Sequence, residues 1–558
     1  MKKSLIALLL VAAMLCSLAG AFADEGPKVN PKGVFPITDE KVTLKVWCNL
    51  PESMVNTIET NDATVYLEEK TNIHLDWEII DINGAAEKLR VMMAANTDLP
   101  DIIMFSNTGS ICTTEQIFSY GMQGLLRSVD DLAEEYGDNY FDSLALYPYA
   151  KQLITAPDGH IYGMPNVTDG VYHASAWYRF YINKAWLDKL GLPLPTTIDE
   201  FYDTLVAFRD QDPNGNGLKD EVPLSGSKNT DYVRTTLDAY LMSAFQYSTT
   251  WEKYWLYLDE NDKVACGAVT EGYREGLRWF KKLYDEGLMD KEIFINSQES
   301  LKMLSGAADG NKLGSFSAMF QIAGVDTGNP EFGDYVALPP LEGPNGRVAV
   351  DNPTGGAGMS FLITSACKYP EIAFRLGDYL LQVPTADDAE WPDDMTVRYG
   401  LEGVGWERAQ EGDVGIDGSP AKFRRLFNGQ DENGNNSVYW HDIGAYTFPQ
   451  SERNAIAMAD PDVYNIEADL YQQTRDCYEP YRQKHSLPTM PFSADDVALL
   501  TDIRVNIQNY GNEALAMFVT GQWSLDSDWD NYVETMNAYG LQTLIERTQA
   551  TYDEFIAR

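Results

Sequence analysis

The chain has 558 residues, 44% of them hydrophobic and 23% charged, which is the composition of a folded protein too long for one ordinary core. Its 84 acidic residues outnumber 42 basic ones, a net charge of −42 spread along the chain without long single-sign blocks. Phosphate backbones and anionic membrane surfaces repel such a surface, so a nucleic-acid partner is not expected, and the acidity reads as a solvated exterior.

The first 23 residues read as a secretory signal. Lys2 and Lys3 form a basic start, residues 5–15 an apolar centre, and Ala21-Phe22-Ala23 a small-x-small cleavage site before Asp24. The apolar run is too short for a permanent membrane anchor, so the mature protein is expected outside the cytoplasm after cleavage near Ala23. Residues 24–40 contain Pro, Gly and Lys with few apolar positions and read as a flexible lead-in.

From there strand and helix patterns alternate. Residues 42–47 alternate as a strand, a helix runs to about Lys70, and residues 73–80 form a second strand. A helix over 85–95 precedes the short apolar strand at 102–104, which gives a βαβ series with a mostly parallel sheet. In Gly159-His160-Ile161-Tyr162-Gly163-Met164-Pro165, Gly163 permits unusual dihedrals and Pro165 fixes its own φ, a pairing that suits a hinge.

The stretch 177–226 is the most informative. A strand at Tyr178–Asn183 leads to a short helix stopped by Gly191, and Thr197 with Glu200 forms a capping box for a second helix. That helix enters Asp212-Pro-Asn214-Gly-Asn216-Gly217-Leu218-Lys-Asp220-Glu221. Oxygen-bearing side chains stand at loop positions 1, 3, 5 and 9, glycine at 6 allows the sharp turn, and the Leu218 carbonyl supplies position 7. Pro223 occupies position 12, where a bidentate Glu is usual, and Glu221 is the available substitute. A structural Ca²⁺ held by Asp212, Asn214, Asn216, Leu218, Asp220 and Glu221 is expected, against the alternative of a solvated turn. A hairpin at 254–268, a helix over 270–286, strands at 315–322 and 335–340, a strand at 359–363, a helix at 370–381 and a helical tail from Asp495 complete the pattern.

Several of these runs resemble one family. Residues 182–191, 195–201 and the 212–221 loop are similar to the large extracellular solute-binding proteins of ABC importers, the oligosaccharide-binding group of family 1 that includes the alginate-binding proteins. The phrases at 97–103, 159–165, 283–290 and 398–403, and the tail from Asp495, continue the likeness over nearly the whole mature chain. The resemblance implies an α/β, two-lobed periplasmic-binding-protein-like fold of type II, each lobe a mostly parallel sheet flanked by helices, with extra C-terminal helices. It implies an N-lobe over 41–165 and 301–360, and a C-lobe over 166–300 and 361–558, with chain crossings near Pro165, near 300 and at Gly355–Gly358. It also implies a calcium ion on the 212–221 loop, hinge closure around a sugar, and delivery to a membrane ABC permease by what is expected to be a monomer. Family members are often lipoproteins, but Ala13-Met14-Leu15 is a poor approach to Cys16 for acylation. The other cysteines, Cys48, Cys112, Cys266, Cys367 and Cys477, make an odd, scattered set with no disulfide framework or metal spacing.

No HExxH, GxSxG, P-loop or strand-borne GxGxxG is present, and the five histidines give no metal pair at helical spacing. A binder rather than an enzyme is expected; a secreted glycoside hydrolase or a non-transport polysaccharide-binding surface protein are the alternatives. The 12 Trp, 32 Tyr and 22 Phe suit sugar stacking, although most aromatics at periodic spacing belong to cores. Candidates at strand ends and crossings are Trp47, Asn49, Phe105, Ser106 and Asn107 on the first lobe, and Trp177, Tyr178, Arg179, Phe320 and Gln321 on the second. Trp440 and Asp442 lie in a Gly/Asn-rich loop that could cap the cleft.

Overall fold

The computed structural model describes residues 26–106, 111–227, 237–247, 254–350, 354–382, 395–427, 429–440, 443, 449–458, 464–483 and 486–557. In chain order the strands are β1 Val42–Leu50, β2 Ile73–Asp81, β3 Ile102–Met104, β4 Met164–Thr168, β5 Arg179–Asn183 and β6 Leu256–Leu258. They continue with β7 Val264–Cys266, β8 Ser315–Ala318, β9 Tyr335–Ala337, β10 Gly356–Ile363, β11 Trp406–Arg408 and β12 Phe423–Arg425. Packing divides the chain into two compact units. The first takes residues up to Val167, Ala357–Arg408 and Phe423–Phe448; the second takes Thr168–Gly356, Ala409–Lys422 and Pro449–Arg558.

The first unit is built on a five-stranded sheet in the order β2-β1-β3-β10-β4. β1 runs parallel to β2 from Val42↔Ile73 to Leu50↔Asp81 and parallel to β3, whereas β10 is antiparallel to β3. β1 begins as an alternating strand and is buried on both faces from Val46 onward, as a central parallel strand must be. The helices Asp62–Thr71 and Ala85–Ala95 bury Leu67 and Leu89 in this unit. The lead-in expected to be flexible is fastened. Arg375 donates to the carbonyls of Asn30 (2.7 Å) and Val34 (3.2 Å), and Lys32 pairs with Asp138 at 2.6 Å. The Lys70 ammonium lies 5.1 Å from the Phe35 ring centroid and 5.2 Å from that of Tyr379. Composition read this segment as loose because its anchors are supplied from far along the chain.

The second unit centres on the sheet β8-β5-β9, in which β5 is antiparallel to both neighbours, while residues 222–225 bridge parallel to Leu313, Met289 and Phe316. β5 is buried at every position, and a strand buried on both faces does not announce the direction of its neighbours. β8 and β9 flank β5, so residues 301–356 belong to the second unit and not, as expected, to the first. The return comes at Gly356, and the described residues of 361–408 and 423–448, expected in the second lobe, pack with the first unit. The hairpin β6–β7 pairs antiparallel from Leu256↔Cys266 to Leu258↔Val264. The helix Glu271–Asp285, N-capped by Thr270, buries Leu277, Phe280 and Leu283 on one stripe. The closing helices Ala494–Val519, Trp529–Ala538 and Leu541–Ala557 add to this unit, with the Tyr532 hydroxyl donating to the Ala268 carbonyl at 3.1 Å.

Candidate functional site

In the first unit the parallel register puts the ends of β1 and β3 side by side, with Cys48 opposite Met104. The next residues then meet. Asn49 Nδ2 donates to Ser106 Oγ (2.6 Å), the Ser106 amide donates back to Asn49 Oδ1 (3.1 Å), and Trp47 meets Phe105 edge-on at 6.5 Å. All four are buried, so the structure brings these candidates together as a closed polar and aromatic knot at the C-terminal end of the strands. Trp440 sits elsewhere: fully buried, it donates from Nε1 to Thr64 Oγ1 at 2.8 Å and packs edge-on against Trp77. It is a core residue of the first unit and not part of a capping loop, because its indole N–H finds a partner on the Asp62–Thr71 helix. Asn107 and Asp442 lie outside the described residues.

In the second unit Arg179 pairs with Ala318 across β5 and β8, so Trp177 and Tyr178 enter the sheet beside the point where Phe320 and Gln321 leave it. Trp177 packs on a small cluster of Tyr178, Ala239 and Val350, and Phe320 packs against the Phe316 cluster. The Arg179 guanidinium is 1% exposed and committed to the protein. It donates to Met319 O (3.2 Å), His173 O (2.6 Å), Leu470 O (3.2 Å) and Thr474 Oγ1 (2.6 Å). Gln321 is also buried, and its side-chain amide donates to the Phe332 carbonyl.

Three residues at this end have no counterpart among the sequence candidates. Tyr172 begins a 3₁₀ turn just after the crossing at Val167, and its ring lies 4.6 Å from that of Tyr471 on the helix Ile466–Gln473. Gln450 accepts from the Tyr172 amide through Oε1 (2.9 Å), and its own amide donates to Asp169 Oδ1 (2.9 Å). Tyr172 was within reach of the argument from crossings; Tyr471 and Gln450 come from remote segments and carry no local signal.

The 212–221 loop closes on itself by Asx turns. Asp212, in the left-handed region at φ 48°, accepts from the Gly215 amide (2.9 Å) and the Gly217 amide (3.1 Å). Asn214 and Asn216 each accept from the amide two residues on, and Asp220 pairs with Lys312 at 2.7 Å. Glu221 differs from these: its side chain is buried and neither carboxylate oxygen is hydrogen-bonded. Burial, then the charges of Asp212 and Asp220, push its carboxyl above the ordinary range. A buried carboxylate with two vacant oxygens beside two further carboxylates and two Asn amides fits a hard cation. The capping box ahead of the loop is half formed. Thr197 accepts from the Glu200 amide, but the Glu200 carboxylate turns to Thr196 instead. Among the described residues no three His, Cys, Asp or Glu side chains converge as a metal cluster. The five described cysteines are free, and burial pushes the Cys266 thiol up to about 12.

Comparison with known proteins agrees with this architecture. Residues 53–385 match the family model for bacterial extracellular solute-binding proteins. The chain is 28% identical, over its full length and 98% of the relative's, to FusA, the fructooligosaccharide ABC transporter substrate-binding protein of Streptococcus pneumoniae serotype 4. The structure of FusA with kestose superimposes with TM-score 0.64 at 25% identity, covering 92% of this chain and 99% of that one. An EF-hand mutant of FusA with fructo-nystose matches to the same extent. An extracellular solute-binding protein of Bifidobacterium longum subsp. infantis shares the fold, with TM-score 0.71 at 20% identity over 92% of this chain and 98% of its own. These neighbours are type II solute-binding proteins, a class whose members bind solutes rather than transform them and work outside the cytoplasm. The chain belongs to the bacterial extracellular solute-binding protein family.

Proposed function

We propose that this protein captures an oligosaccharide outside the cell and hands it to a membrane ABC permease, acting as a monomer exported by a leader cleaved after Ala23. The observation that carries this reading is end-to-end correspondence with FusA, 28% identical over 100% of this chain. The strand ends support it. Of the rings placed there, Trp177 and Phe320 are only half-buried at one end of the second sheet. Rings stack on the C–H faces of sugars while amides and hydroxyls take their hydroxyl groups.

A calcium ion on the 212–221 loop belongs to the same reading. Asp212, Asn214, Asn216, Asp220, Glu221 and the Leu218 carbonyl would hold it, and the vacant, buried Glu221 carboxylate supports the assignment. When bound, the ion neutralises the clustered carboxylates and braces the loop. Its place in this reading is structural.

Titration calorimetry with kestose, oligogalacturonides and diacetylchitobiose, followed by small-angle scattering and product analysis of the mixtures, tests the function. At least one sugar binds, the radius of gyration falls on binding because the ligand favours a closed form, and the sugar is recovered intact. Cleaved sugar or an unchanged radius in a saturated sample would make the protein a hydrolase or a rigid polysaccharide binder.

A further inference from the structure

Several tyrosines of the second unit are core. Tyr181, Tyr273 and Tyr532 are fully buried, and Tyr240 nearly so. Tyr172 and Tyr471 are each half-buried, with ring centroids 4.6 Å apart at an interplanar angle of 42°. Two apolar faces left partly in water cost free energy unless something covers them.

Their backbones are fixed from beneath by one buried group. The Arg179 guanidinium holds His173 O, the carbonyl following Tyr172, and Leu470 O, the carbonyl preceding Tyr471. Thr474 Oγ1 repeats both contacts, at 3.3 Å to His173 O and 2.8 Å to Leu470 O. Gln450 clamps the Tyr172 amide, and Ser175 Oγ donates to the Tyr172 carbonyl at 2.6 Å. Immediately beyond Gln473 the helix widens into a π turn over Thr474–Tyr478, a distortion found often at functional sites. A buried guanidinium is costly unless it is hydrogen-bonded, and three of the four bonds Arg179 donates go to the two segments that carry the rings.

We propose that Tyr172 and Tyr471 form a stacking platform for a sugar ring. This rests on the oligosaccharide reading above. The fringe of the pair fits a glycan better than a purely apolar ligand. Arg475 and Arg482 lie near Tyr172, and Asp417 and Asn454 near Tyr471, so polar groups border the pair. A rigid pair loses little entropy on binding, which is what holding both backbones achieves.

The test compares the parent with Tyr172→Leu, Tyr471→Leu and Tyr172→Phe, by titration calorimetry with whichever of kestose, oligogalacturonide or diacetylchitobiose the parent binds. Each leucine variant keeps apolar bulk but loses the ring, and is expected to bind at least tenfold more weakly with an unchanged melting temperature. Tyr172→Phe keeps the ring and is expected to stay within about threefold of the parent. Parent-like affinity in both leucine variants overturns the platform and leaves the glycan reading standing. Failure of the parent to bind any glycan in a wider panel overturns both. A loss in Tyr172→Phe equal to that in Tyr172→Leu would assign the effect to the hydroxyl and overturn stacking.

Discussion

At His173 the fold buries an imidazole whose Nδ1 makes no hydrogen bond. Desolvation, then the charges of Arg179 and Arg453, lower its pKa from 6.5 to about 4. Between those values the unfolded chain holds a proton that the folded chain lacks. The contribution is therefore complete above pH 6.5 and falls as pH falls, by up to roughly 3 kcal/mol near pH 4. Asp169 and Asp469, whose carboxyls burial raises, titrate with the opposite sign, so the difference between parent and variant is the quantity to read. His173→Gln is expected to flatten the loss of urea stability between pH 7 and pH 4 relative to the parent. Parallel curves would mean that the imidazole titrates normally. No pattern in the sequence marks His173, because its burial is produced by Arg179 and by the helix Ile466–Gln473, nearly 300 residues away.

Strands and helices were legible where periodicity and caps speak locally. β1, β2 and the helices Ala85–Ala95, Ile198–Asp210 and Glu271–Asp285 fall where alternation, Thr caps and closing residues place them. Partners were not legible. β8 and β9 have the composition of buried strands, and nothing within them says that β5 is their neighbour. Gly163 illustrates the limit at one element. A glycine beside Pro165 suggests a dihedral requirement, but Gly163 is not among the positive-φ residues. What demands glycine is proximity: a Cβ there would stand 2.5 Å from Leu362 Cδ2 and 3.1 Å from Phe361 O, on the adjacent β10. Gly163→Ala is expected to destabilise the first unit by about 1–3 kcal/mol, measured by urea denaturation. A neutral result would show that β10 yields without cost.

At the scale of the whole molecule, two compact units with separate sheets should respond separately to a ligand that touches one of them. On the proposed calcium reading, the ion on the 212–221 loop would stabilise only the second unit, by about 2.7 kcal/mol at a hundredfold excess over Kd. Calorimetry is expected to resolve two transitions, one of which shifts upward with calcium and returns in chelator. Glu221→Gln removes a charge that burial, Asp212 and Asp220 already disfavour. That variant should therefore be as stable as the parent or more so in chelator, yet gain nothing from calcium. Asp212→Ala should lose stability in both, since Asp212 also holds the Gly215 and Gly217 amides. Equal calcium shifts in Glu221→Gln and parent would remove the ion from this loop.

Sequence alone settled what depends on near neighbours: the acid-rich exterior, the elements, the Asx-turn loop with its cation-ligand spacing, and the likeness to a family of binders. Tertiary structure decided what depends on residues hundreds of positions apart. It assigned 301–356 to the second unit, buried Trp440 against Thr64, committed Arg179 to backbone carbonyls, and brought Tyr471 to Tyr172. The physical reason is that turn and helix hydrogen bonds close within a few residues. The cost of burying a charge or a ring is met only by whichever remote segment the fold lays against it.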